Sequence, residues 1–157
     1  MTEDQRMAPT GSTEGVAAPD AMLVLEGSMP GDEELIAGVV ERMMAALTGV
    51  GCIQGDEFEI ELALTEALAN GVRHGCQCDA GRRVHYRVDH DGAGGMTIVV
   101  RDPGPGYDPD AVPDPLAGEN LFSHHGRGLF LIRRIMDEVD LSQGGAEITM
   151  RKLRRQV

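Results

Sequence analysis

Glu66, Asn70 and His74 recur at four-residue steps in LTEALANGVRHG, residues 64–75. Residues four apart share one face of a helix, one turn above another. This helix therefore presents a carboxylate, an amide and an imidazole in a column. An Asn offers its carbonyl oxygen to a hard cation such as Mg²⁺, which takes oxygen ligands and keeps several waters. A Glu one turn earlier can accept the proton of an attacking hydroxyl. A solvated acidic stripe has the same composition, and this stretch alone does not separate the two. For His74 the plainer reading is preferred, a cap on the helix end with Gly75 in the left-handed position.

Two glycine-bearing stretches stand further along. Arg101-Asp102-Pro103-Gly104-Pro105-Gly106 follows a strand-like run. Glycine lets backbone approach a ligand closely, and an Asp leaving a strand there can accept a hydrogen bond from a ligand amine. An ordinary Asp-Pro-Gly turn reads the same way. Gly126-Arg127-Gly128 opens a helical pattern. Helix N-termini carry free N–H groups and favour phosphate, although a flexible hinge would look alike. Neither stretch is a Walker loop, since no GxxxxGK[ST] occurs. The second is not a Rossmann turn, because it follows a long loop and not a strand.

The elements that must position these residues follow from pattern. Residues 1–20 are rich in Ala, Pro, Gly, Thr and acids and read as a disordered tail. Residues 21–157 read as one domain. AMLVLEGS (21–28) is a short strand. Pro30 and Asp32 mark a helix start, Leu35, Ile36, Val39, Val40, Met43, Met44 and Leu47 give it an apolar face, and Gly49 and Gly51 end it. A second helix runs from about Asp56, its N-cap, to Arg73. Val84, Tyr86 and Val88 alternate, DGAGG turns, and Met96–Arg101 completes a hairpin. Residues 102–126 form a segment of the length and composition of a binding loop or lid. A third helix spans 126–139, with Leu129, Ile132 and Met136 inward, and a last hairpin closes the chain. The order β-α-α-β-β-α-β-β predicts an α/β (α+β) two-layer sandwich, a mixed, mostly antiparallel sheet covered by three helices.

Composition narrows the field. The chain has 157 residues, 41% hydrophobic and only 3% aromatic, so its core must rest on Leu, Ile, Val, Met and Ala. A formal charge of −12 argues against non-specific binding to nucleic acid or an anionic membrane, while leaving room for one nucleotide in a local site. No apolar run is long enough for a membrane span, and the acidic N-terminus is not a signal peptide. Three cysteines, Cys52, Cys76 and Cys78, fit a reducing compartment better than a disulfide framework, so the cytoplasm is expected. Cys76-Gln77-Cys78 lacks the spacing of a zinc knuckle.

Taken together and in order, E-x-x-x-N-x-x-x-H-G, then D-x-G-x-G after a strand, then G-x-G-L opening a helix resemble the GHKL (Bergerat) ATP-binding fold. Within it, residues 21–153 resemble the anti-sigma factor serine/threonine kinases of the RsbW-like family. The resemblance implies that Asn70 ligates Mg²⁺ on the ATP phosphates and that Glu66 is the general base for a serine hydroxyl. It implies Asp102 at the adenine amino group, with Gly104 and Gly106 shaping the pocket beside the base. Residues from about 108 to 125 would form the lid, and Gly126, Arg127, Gly128 and Leu129 would close over the phosphates. It further implies a STAS-type anti-anti-sigma protein as substrate, a sigma factor or similar client, and a homodimer through the first strand or helix.

Some features set this chain apart from relatives of the same fold. Only about 20 residues precede the first strand, so no dimerising hairpin with a phospho-accepting His is expected. Glu66 stands where histidine kinases commonly place Asn, and a carboxylate there suits a hydroxyl acceptor. Gly71 follows Asn70 where many relatives have Ala, and Gly145-Ala146 stands where they often have Gly-Thr near the adenine, leaving Thr149 as a substitute. The first helix carries a single basic residue, Arg42, so a family partner-binding arginine is not placed. Two other functions share these motifs: an ATP-binding module that binds partners without productive phosphotransfer, and an ATPase that transfers the phosphoryl group to water.

Overall fold

The computed structural model of the protein describes residues 21–105 and 124–154. The expected tail, Gly106 and nearly all of the expected lid lie outside the described residues. The element order is β1 (Met22–Pro30), α1 (Ile36–Val50), α2 (Glu57–Asn70), β2 (Arg83–His90), β3 (Met96–Arg101), α3 (His124–Ile135), β4 (Glu138–Ser142) and β5 (Glu147–Lys152). The strands form one sheet in the order β1-β2-β3-β5-β4. All four pairings are antiparallel. Among the described residues, three helices against one sheet give the α+β sandwich read from the sequence.

Period-2 alternation decides what faces the helices. Val84, Val88, Ile98, Val100 and Met150 are buried on that side of the sheet. From the helices, Met43, Leu47, Ile60, Leu64, Leu68 and Ile132 are fully buried against them. Removing one such side chain costs about 2–5 kcal/mol. The core is thus built from Leu, Ile, Val and Met, as the scarcity of aromatics requires. Among the described residues no helix is long and apolar enough to cross a membrane.

α1 ends by a left-handed residue at Gly51, φ 74°. Its N–H reaches Thr48 O at 3.1 Å and the next N–H, of Cys52, reaches Leu47 O at 3.3 Å, so the last carbonyls are satisfied. The start is set by Asp32, whose Oδ1 accepts from the Glu34 N–H at 3.0 Å. A 3-10 turn, Glu33–Leu35, leads into the helix.

Two expected helix ends are corrected. The third helix stops at Ile135, and Glu138 and Val139 belong to β4. Val139 pairs with Met150 there. The alternation of Val139 and Leu141 lets this segment complete the sheet, and that pairing outweighs helix propensity. The second helix is α-helical only to Asn70 and finishes in a π turn, Gly71–Gly75, in which the Cys76 N–H reaches Gly71 O at 2.9 Å. Gly75 is not left-handed; that conformation falls on Gln77 and Cys78. The His74 reading as a cap built on a left-handed Gly75 therefore does not hold.

Candidate functional site

α2 carries its small apolar residues inward and its polar column along one edge. Ala63, Leu64, Ala67 and Leu68 are buried. Glu66 and Asn70 are half-buried and His74 is exposed. The column is therefore not a fully solvated stripe over Glu66 and Asn70, where it meets α3. A Cβ built on Gly128 would stand 2.8 Å from Glu66 Oε2, 3.2 Å from Asn70 Nδ2 and 3.3 Å from Asn70 Oδ1. Only a bare Cα allows α3 to lie this close to both side chains. Arg127, one residue earlier, is exposed, and Leu129, one residue later, is buried and anchors the helix. Gly126 lies in the first turn of α3.

Asp102 leaves the end of β3. Its N–H bonds Ala146 O at 2.9 Å, which ties it to the start of β5. Its Oδ1 accepts the Gly104 N–H at 2.8 Å. Burial pushes the Asp102 carboxyl above the usual carboxylate range, and the Gly104 N–H only partly offsets this. The carboxyl fits because Gly75 is bare: a Cβ there would overlap Asp102. Gly104 is needed for a similar reason, since its Cβ would approach the Gly75 Cα to 2.8 Å. The π turn of α2, the exit of β3 and the Gly104 turn thus interlock. Such turns are frequent at functional sites.

A cleft joins the two groups. It is lined by Asn70 and His74 from the column, Asp102 from β3, Gly71 and Gly75 from the π turn, and an apolar wall of Ala67, Val100, Ala146 and Ile148. The cleft thus holds a half-buried carboxyl, an apolar floor and an amide, and that amide, Asn70, is the one that Gly128 of α3 and the Glu66 carboxylate approach from outside the lining. That suits an adenine amino group over Asp102, its ring on the floor, and phosphates near Asn70 and Gly128. One amide and one carboxylate beside an open cleft also suit a hard cation whose remaining ligands are phosphates and waters.

The expected residues fall unevenly onto this arrangement. Glu66, Asn70, Asp102, Gly104 and Gly128 come together. Thr149 does not join them. It pairs with Val99 and Asp140, on the sheet face opposite its neighbours Ile148 and Met150. Ile148 occupies the cleft instead, and Ala146 stands there without a hydroxyl. The wall residues Val100, Ile148 and Ala67 hold no defining position in any of the sequence motifs. Their signal was the alternation and helical period that place them on the inner faces. Arg73, in the π turn beyond Asn70, donates from Nε to Glu33 Oε1 at 2.6 Å, linking the column to the entry of α1. That bond, with the charges of Glu33 and Glu66, holds its proton still more firmly.

Known proteins resemble this chain over most of its length. The chain is 28% identical over 136 residues to the serine-protein kinase RsbW of Halalkalibacterium halodurans, covering 82% of each protein. It is 24% identical over 138 residues to the serine-protein kinase RsbW of Staphylococcus aureus strain MW2, covering 82% of this chain and 85% of the relative. The family described as a histidine kinase-like ATPase domain matches residues 29–152, which span every element from the end of β1 to β5, so the chain belongs to that family.

Proposed function

We propose that this protein is an ATP-dependent serine/threonine protein kinase of anti-sigma type. The observation that carries the reading is the meeting of Gly128 with Glu66 and Asn70, Asn70 also lining the cleft that holds Asp102. Asp102 accepts from the adenine amino group and the apolar wall takes the ring. Asn70 offers an oxygen to Mg²⁺, which when bound neutralises phosphate charge. The amides at the start of α3 face the same phosphates. Glu66 takes the proton of a serine hydroxyl as its oxygen bonds to the γ-phosphorus and ADP departs. Phosphoryl transfer asks mainly for such positioning and charge neutralisation.

The substrate in this reading is a STAS-type anti-anti-sigma protein, and the client is a sigma factor or a similar regulator. ATP and ADP favour different partner complexes, and linkage turns that difference into partner switching. A homodimer is part of the reading. β1 is an edge strand, and an unpaired edge is the natural place for a second copy to add. The cytoplasm is the compartment that the reading implies.

The test uses purified protein, Mg²⁺ and γ-labelled ATP with a lysate of the source organism depleted of small molecules. One small labelled protein whose labelling is lost in Glu66→Gln and in Asn70→Ala supports a kinase. Transfer retained in Glu66→Gln removes Glu66 as the base. Nucleotide binding that depends on Asp102, with no transfer to any protein, favours the regulatory module.

A further inference from the structure

The polar column of α2 runs directly into Cys76-Gln77-Cys78. Cys76 is fully buried and Cys78 is exposed. Gln77 and Cys78 both stand in the left-handed region, at φ 53° and 55°, where residues other than glycine are uncommon. A residue of helical conformation of either hand brings its neighbours' Cα atoms to about 5.5 Å, inside the span that a disulfide bridges. The turn is held by the Cys78 N–H on Val72 O at 2.9 Å and the Asp79 N–H on Cys76 O at 3.0 Å. Both cysteines lie against the entry of α1. A Cβ on Gly31 would meet the Cys76 Cβ at 2.5 Å, and Cys78 Sγ lies 4.0 Å from Glu33 Oε1.

The same turn supports the nucleotide cleft. Cys76 follows Gly75, the bare residue on which the Asp102 carboxyl rests, and Gly104 is fitted over Gly75 in turn. A bond between a sulfur sealed in the core and one at the surface requires the 75–78 backbone to shift. Asp102 loses its seat when Gly75 moves.

We infer that Cys76 and Cys78 form a reversible disulfide on exposure to hydrogen peroxide, and that closing it opens the Asp102 end of the cleft; its effect on nucleotide rests on the function proposed above. The exposed Cys78 reacts first. Its sulfur bonds to one peroxide oxygen, the O–O bond breaks, and one water leaves with the thiol proton, giving a sulfenic acid. Cys76 sulfur then bonds to Cys78 sulfur, the S–O bond breaks, and a second water carries away the Cys76 proton. Two thiols are oxidised and one peroxide is reduced to two waters. Burial, with the charge of Asp102, keeps the Cys76 thiol protonated beyond the usual range, which favours this order. A dithiol returns the pair to the reduced state.

The test treats the full chain with hydrogen peroxide and digests it with trypsin. Cleavage after Arg73 and Arg82 isolates residues 74–82, which contain both cysteines and exclude Cys52. That fragment is expected to lose the mass of two hydrogens. ATP affinity is expected to fall roughly tenfold and to recover with dithiothreitol. Cys78→Ser, at an exposed site, should abolish both effects, and Cys52→Ser should change neither. Hydrogen exchange at the Gly104 amide, bonded to Asp102 at 2.8 Å, should quicken on oxidation. The inference is overturned if no bridge forms within the fragment, or if a bridge leaves the Gly104 amide unchanged. Failure of the reduced protein to bind ATP would instead overturn the proposed function, and the Gly104 amide would still decide the disulfide's effect.

Discussion

Gly128 of α3 lies against Glu66 of α2 so closely that a single methyl group would stand 2.8 Å from the carboxylate Oε2. The neighbour at risk is the far end of a flexible side chain, so the fold can absorb the change while the carboxylate cannot keep its place. Gly128→Ala is expected to leave the melting temperature within about 3 °C of the parent. Phosphotransfer should fall roughly a hundredfold, the usual cost of misplacing a reacting group by an ångström. Thermal melts beside a γ-label assay separate the two effects.

Asp102 is a carboxyl whose burial disfavours its charge. Its folded pKa lies above its unfolded one, so the stability it contributes is greatest below the unfolded value and is lost as pH rises through the folded value. Asp102→Asn, which keeps an oxygen for the Gly104 N–H, should therefore raise the melting temperature at neutral pH. The gain should vanish in acid, where the parent's Asp102 is protonated. Nucleotide affinity should fall roughly 10- to 100-fold in the variant, the worth of a charge-assisted hydrogen bond. In the parent, affinity should decline as pH drops through the raised Asp102 pKa. Melts and ATP titrations across pH check both signs.

Gly71 and Gly75 share one turn but answer differently to alanine. At Gly75 a Cβ would overlap the Asp102 carboxyl, so Gly75→Ala should cost about 1–3 kcal/mol and disturb nucleotide binding. At Gly71 a Cβ would meet two Val84 methyl carbons at 3.1 and 3.2 Å. Its backbone is right-handed helical, so alanine gains about 1 kcal/mol of helix propensity against that crowding. Gly71→Ala should stay within about 1 kcal/mol of the parent. Denaturant midpoints rank the two.

The Glu33–Arg73 contact is short, at 2.6 Å, yet both side chains are nearly half exposed, at 47% and 43%. Solvent screening limits such pairs to about 0–1 kcal/mol. A double-mutant cycle with Glu33→Gln and Arg73→Gln should return a coupling in that range, shrinking as salt is raised. A coupling above about 2 kcal/mol would mean that the pair holds the α1 entry to the column by more than charge.

Local rules made much of this protein legible from its residues alone. Four-residue spacing put Glu66 and Asn70 on one helix face, alternation identified the β2–β3 hairpin, and Asp32 and Gly51 marked the limits of the first helical region. These are short-range consequences of backbone geometry, and tertiary packing did not overrule them. The relationships that make a cleft were decided only by the folded chain. Gly75 reads as a left-handed cap in sequence, yet it is a bare floor for Asp102, because β3 delivers that carboxyl from 27 residues away. Glu138 and Val139 read as helix until β5 offers them a strand to pair with. Thr149 and Ile148 are equally placed in the sequence, and strand register turns only Ile148 toward the cleft. In each case the deciding contact comes from an element distant along the chain, which the local pattern permits but does not select.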